Sequence, residues 1–134
     1  KIAGKSLRIE AEIQLKAQAT PQGVLLAQGG KEHGYAIHWL KGKLAFDARV
    51  DGKVTRVQIN APTKGKLKVV AVLDQQVISL EVEGARAKMN SPGLIPVQPK
   101  DDLSIGFDDQ TAAGNYKVPN SFNGKVLSYS VNKR

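Results

Sequence analysis

The sequence predicts an all-β domain built as an antiparallel sandwich or barrel, and three observations predict it. Apolar and polar residues alternate with period two along segment after segment, the pattern of half-buried strands. Turn pairs punctuate those segments at Lys41-Gly42, Asp51-Gly52, Lys64-Gly65 and Glu83-Gly84. No stretch carries a helical period. About ten short strands at close spacing belong to sandwiches and barrels, and a 134-residue chain supplies one such domain, residues 1–134, with a sizeable core.

The first strand is the clearest. In "LRIEAEIQL", Leu7, Ile9, Ala11, Ile13 and Leu15 point one way, while Arg8, Glu10, Glu12 and Gln14 point the other. "GVLLAQGG" follows a turn at Thr20-Pro21. "YAIHWL", "KLAFDARV" and "KVTRVQI" form a central meander. "KLKVVAVLD", "QVISLEVEG" and "ARAKM" continue the series, and "LSIG" and "KVLSYSV" complete it. No linker, repeat or low-complexity tract interrupts them.

Asp-Gly between alternating segments is a strong two-residue hairpin signal, so the meander's register follows from its turns. Asp51-Gly52 pairs Val50 with Lys53, Ala48 with Thr55, Asp47 with Arg56, Phe46 with Val57, and Leu44 with Ile59. Lys41-Gly42 pairs Trp39 with Leu44, His38 with Ala45, and Ile37 with Phe46. One face then collects Tyr35, Ile37, Trp39, Leu44, Phe46, Val57 and Ile59, and burial of this set pins the register. Trp39 is therefore expected in the core rather than as a sugar-stacking platform. The opposite face collects His38, Asp47, Arg49, Arg56 and Gln58. These five are the candidate ligand-binding residues, a polar floor for a carbohydrate. The plainer reading makes Asp47 and Arg56 a cross-strand ion pair, worth up to about 1 kcal/mol at a surface.

The formal net charge is +8 and the pI about 9.8. A basic surface favours polyanions, sulfated or uronic polysaccharides among them. Fifteen of the 20 basic residues are lysines scattered in turns and strands. Lys64, Lys66 and Lys68 alternate into a strand, and the expectation for such a row is a charge guard on a sheet edge. Nucleic-acid binding wants exposed aromatics interleaved with the basic residues; aromatics are 5% of the chain and mostly on the core face. No run of about 18 apolar residues exists to span a membrane. The start, "KIAGKSLRIE", enters a strand pattern with no leader, so the chain is expected to be mature, cytoplasmic, or cut from something longer.

Chemistry is sparse. There is no cysteine, hence no disulfide, thiolate metal site or cysteine nucleophile. Serine-hydrolase, zinc-protease and phosphate-loop motifs are absent, and no cofactor is implied. A glycosidase needs two carboxylates facing across a cleft. Glu10 with Glu12, and Glu81 with Glu83, share strand faces at roughly 6–7 Å, but each pair is the ordinary outward half of a strand. In "FDDQTAAGNYKVPNSFNG", Asp108 and Asp109 with Asn115 offer oxygens for calcium, yet fit no named calcium loop. A structural loop is expected instead, with Asp108 and Asp109 bonding backbone N–H groups and Phe122 plugging the end of the sandwich.

The segment "GVLLAQGGKEHGYAIHWLKGKLAFDARVDGKVTRV" resembles the concanavalin A-like, laminin-G-like jelly roll. The resemblance rests on Gly29, Gly30, Gly34, Tyr35, Ala36, Gly42, Lys43 and Leu44, and on Val82, Glu83 and Gly84 where that family has a Val-Asp-Gly turn. It implies two antiparallel sheets. The tail is similar to the C-terminal region of bacterial arylsulfatases of the alkaline-phosphatase superfamily, at Gly106, Asp108, Gly114, Tyr116, Pro119, Phe122 and Gly124. Where that family's loop often reads Asp-Thr-Gly, this one reads Asp-Asp-Gln-Thr. The resemblance implies a non-catalytic accessory module of an exported sulfatase, scaffolding or binding a sulfated glycan, with a catalytic sulfatase domain as its partner in the parent chain. The sulfatase's own formylglycine signature is absent. A free-standing lectin-like protein and a small glucanase on the same fold are the alternatives.

Overall fold

A computed structural model describes all residues, 1–134. Ten strands run in order: β1 (Leu7–Gln14), β2 (Gly23–Gly29), β3 (Gly34–Leu40), β4 (Lys43–Val50), β5 (Lys53–Asn60), β6 (Lys66–Leu73), β7 (Val77–Val82), β8 (Ala85–Asn90), β9 (Leu103–Ile105) and β10 (Lys125–Lys133). They form two five-stranded antiparallel sheets. The first has the order β10-β1-β6-β7-β8 and the second β5-β4-β3-β2-β9. The sandwich expected from the alternation is therefore the two-sheet form, with no helix.

Turn chemistry and burial together set the registers. Lys41-Gly42, Asp51-Gly52 and Glu83-Gly84 have positive φ at both residues, the backbone of the tight turn that matches strand twist. Asp47 pairs with Arg56, Phe46 with Val57, and Trp39 with Leu44, as the turns predict. Lys64-Gly65 behaves differently: it lies where the chain leaves the second sheet for the first, and the Leu15 N–H donates to its Gly65 carbonyl at 2.9 Å. Bulges adjust two strands. One in β2 between Val24 and Leu26 turns both Leu25 and Leu26 into the core.

The core lies between the sheets. Leu7, Ile9, Ala11 and Ile13 meet Tyr35, Ile37, Trp39, Leu44 and Phe46 from the opposing layer, and Phe122 closes the set from the loop before β10. Gly124 makes room for it, since a Cβ there would lie 2.6 Å from Phe122 Cζ. The edge-guard expectation for Lys64, Lys66 and Lys68 holds in part. β6 is an interior strand of its sheet, but β7 pairs it only from Val69 to Leu73, so the start of β6 is covered by β1 alone. There the Lys68 N–H donates to the Glu83 carboxylate at 2.7 Å and Lys68 Nζ lies 3.8 Å from Glu10.

Phe46 is fully buried and packs edge-on against Tyr35 at 6.4 Å. Phe46→Ala is expected to cost about 3–5 kcal/mol in chemical denaturation. A loss below about 1 kcal/mol would mean that its ring faces outward and the register is wrong.

Candidate functional site

The polar face predicted from the hairpin registers exists, but most of it is roofed. The outward side of the second sheet carries His38, Asp47, Arg56 and Gln58, and the loop between β9 and β10 lies across it. Small residues allow this approach. Val24, Ala27 and Ala36 on the sheet meet Ala113 of the loop, with Tyr116 packed against them. At Gly114 a Cβ would fall 2.8 Å from Asp47 Oδ2 and would strike the Tyr116 ring, so only glycine fits there.

Beneath the loop, His38 is 1% exposed and Asp47 0%. His38 Nε2 lies 2.8 Å from Asp47 Oδ2; an ionised carboxylate only accepts, so Nε2 carries the hydrogen. Arg56 donates from Nε to Oδ1 at 2.7 Å and from Nη2 to Oδ2 at 2.8 Å, a two-pronged grip that suits carboxylate geometry. Burial pushes the Asp47 carboxyl up, and the bonds from Arg56 and His38 more than reverse this, leaving it below the ordinary value. The surface-pair figure does not apply to Asp47 and Arg56, because the carboxylate is fully buried and loss of its partner would leave an unpaired charge. The His38 ring packs edge-to-face on Tyr116 at 4.9 Å, and its Nδ1 has no partner.

The two aspartates of the loop part company. Asp108 is 2% exposed and accepts the Ala113 N–H at 2.9 Å and the Tyr116 hydroxyl. Burial raises its carboxyl above the ordinary value; the Tyr116 and Ala113 bonds oppose this, while Asp101 and Asp109 add to it. Asp109 faces solvent and accepts the Gln110 N–H at 3.0 Å. Asn115 is exposed, so these three do not converge as calcium ligands.

Arg49 leaves the predicted floor altogether. Its guanidinium donates to the carbonyls of Ala113, Gly114 and Gly52 at 3.0 Å each, and to Lys31 at 3.3 Å. It clamps three loops and is not free for a ligand. Gln58 stays exposed. Three of the five predicted residues are therefore brought together, one is diverted and one stands apart.

Sequence reasoning missed a cleft at the rim beside that clamp. It measures about 450 Å³ and opens between the β2–β3 turn, at Gly30 to His33, and the segment from Val97 to Asp101, with Thr111 at its base. The signal was the polar "GGKEH" after β2 and the Asp101 that precedes β9. Glu32 and Asp101 both line this cleft. Asp101 Oδ2 already accepts the Thr111 N–H at 3.1 Å and the Thr111 hydroxyl at 2.7 Å. Glu10, Glu12, Glu81 and Glu83 lie on the far sheet.

By sequence, neither a protein-family model nor a curated protein matches this chain. Solved structures do match it in shape. Domains LG4-5 of the mouse laminin α1 chain superpose with a TM-score of 0.78 at 16% identity, covering 100% of this chain and 38% of that one. The Ruminococcus gnavus sialidase CBM40, bound to α2,3-sialyllactose, gives 0.69 at 14% identity over 96% of this chain and 76% of that one. Sheep galectin-11, in complex with glycerol, gives 0.57 at 8% identity over 95% and 89%. The fold is the jelly-roll sandwich of the laminin-G and concanavalin A-like kind. This chain spans well under half of the laminin fragment.

The buried pair has a measurable pH signature. Because the folded Asp47 carboxyl lies below its ordinary 3.8, its contribution is present above that value and is lost as pH falls through the folded one. Asp108, raised in the fold, works in the opposite sense. Arg56→Met leaves a buried charge uncompensated, so at pH 7 it is expected to cost about 3–5 kcal/mol. The penalty should shrink below pH 4 as Asp47 takes up a proton. A pH-independent loss under about 1 kcal/mol, read from urea unfolding, would show that the pair is exposed.

Proposed function

We propose that this domain is a non-catalytic glycan-binding module of an exported protein. The observation that carries the reading is the rim cleft. Seven of its ten lining residues carry hydrogen-bonding side chains, and its volume falls within the ≈ 300–1,000 Å³ usual for small-molecule sites. The fold adds support, since the CBM40 of similar shape holds a sialylated trisaccharide. Of the five polar-face residues, only Gln58 and the outer edge of Arg56 are left to meet a sugar directly; the others support the loop. That the parent protein is an exported bacterial sulfatase, with its catalytic domain as the partner, rests on the tail pattern from Gly106 to Gly124 alone. No helix is long and apolar enough to cross a membrane.

A second reading has one observation in its favour. Glu32 and Asp101 stand in the same cleft, as a glycosidase would require. Such an enzyme keeps one carboxyl protonated by apolar surroundings. Glu32 is exposed and Asp101 is engaged by Thr111, which favours binding over hydrolysis.

Calorimetric titration with a panel of sulfated, uronic and neutral oligosaccharides tests both. Saturable binding of at least one, with the sugar recovered intact, is expected. With a net charge of +8, binding of sulfated chains should weaken as salt rises. No heat with any of them would remove the glycan-binding reading; shortened products would replace it with the hydrolase.

A further inference from the structure

We propose that the rim cleft selects an anionic saccharide, one bearing a sulfate or carboxylate, and grips its charge between Lys31 on one wall and Lys100 on the other. This rests on the glycan-binding reading and goes further, naming the place and the charge class.

The walls are built before any ligand arrives. In the β2–β3 turn, the Gly30 N–H donates to the His33 carbonyl at 3.1 Å. The Lys31 carbonyl accepts from Arg49 Nη1 at 3.3 Å. The Glu32 carbonyl accepts the Gly52 N–H at 2.9 Å, and His33 Nδ1 accepts the Asp51 N–H at 3.3 Å. Every residue of the turn is tied by hydrogen bonds, and two of these ties reach the β4–β5 turn. At the base the walls touch: a Cβ on Gly30 would collide with Thr111 Oγ1, the hydroxyl held by Asp101. On the second wall, Gln98 Oε1 accepts the Ile2 N–H at 2.8 Å, which fixes that side chain and leaves its amide N–H groups as donors. A site fixed in this way loses little freedom on binding.

The groups left unspent decide the ligand. Lys31 and Lys100 both line the cleft, are exposed and have no ion-pair partner; of the two carboxylates beside them, Asp101 is engaged by Thr111 and Glu32 is free. Glu32 offers an acceptor for a hydroxyl. Val97, 55% exposed, and Pro99 offer an apolar surface to the C–H face of a ring. Donors, two carboxylates and a small apolar wall suit a saccharide; the two lysines, one on each wall, are the groups that would meet negative charge on it.

The test is an amide-shift titration of the ¹⁵N-labelled chain with three probes of similar length: a sulfated heparin tetrasaccharide, an oligogalacturonate and a neutral cello-oligosaccharide. Expected are saturating shifts confined to residues 30–33, 97–101 and 111 with the charged probes. The two charged probes separate sulfate from carboxylate. Replacing both lysines (Lys31→Ala with Lys100→Ala) should weaken the charged probes by at least about tenfold, while Lys31→Arg with Lys100→Arg keeps most of the affinity. Shifts centred on Arg56 and Gln58 would overturn the site and leave glycan binding standing. Equal affinity for the neutral probe would overturn the charge selection, and so would shifts spread over all lysines and abolished by moderate salt. No shift with any probe would remove the glycan-binding reading itself.

Discussion

A carboxylate with no solvent exposure, Asp47, sits on the outward face of a sheet, where alternation would normally leave a residue in water. Much of the molecule's irregular structure answers that placement. A buried charge is tolerated only when paired and hydrogen-bonded, and Asp47 receives two bonds from Arg56 and one from His38. Something must also exclude water above it. That is the loop from Gly106 to Phe122, whose Ala113, Gly114 and Tyr116 lie against the sheet. The loop carries a second buried carboxylate, Asp108, which braces it internally through Ala113 and Tyr116, while Arg49 of the sheet holds it at Ala113 and Gly114. The two acids shift in opposite directions because their partners differ: a guanidinium for one, a neutral hydroxyl and an amide for the other.

The roof has a consequence for function. It occupies the sheet face where His38, Asp47 and Arg56 converge, and it moves the accessible chemistry to the rim. Arg49 links the two regions, since one guanidinium holds both the roof, at Ala113 and Gly114, and the cleft wall, at Lys31. The cleft therefore takes its rigidity from the same polar network that closes the face.

Much of the fold was legible in the sequence because local rules agreed with one another. All ten strands, the Asp51-Gly52 and Lys41-Gly42 registers, and the core placement of Trp39 and Phe46 follow from period-two burial and turn chemistry. Beyond those hairpins, the spatial neighbours of the strands were not legible from residues alone. Lys66 and Lys68 look the same on an edge strand as on an interior one, and only the pairing shows that β6 is interior from Val69 to Leu73 and open on the β7 side at the lysines. His38, Asp47 and Arg56 share a face as the registers predict, but its cover was not legible, because a loop crossing from β9 to β10 leaves no period in the sequence. The cleft is composed of residues 30–33, 97–101 and 111, distant in sequence and joined by contacts such as Asp101 with Thr111, which no spacing rule reports.

The central claim is that the loop is part of the folded body, braced by Asp108 and resting over Asp47. Native-state hydrogen exchange at the Ala113 amide reads this most directly, because that N–H is bonded to a buried carboxylate rather than to a strand. Ala113 should exchange in the slow class with the paired amides of β3 and β4, and should lose that protection selectively in Asp108→Ala. Exchange of Ala113 at the rate of an exposed turn such as Glu83-Gly84, in the unmodified chain, would contradict it and return the polar face to solvent.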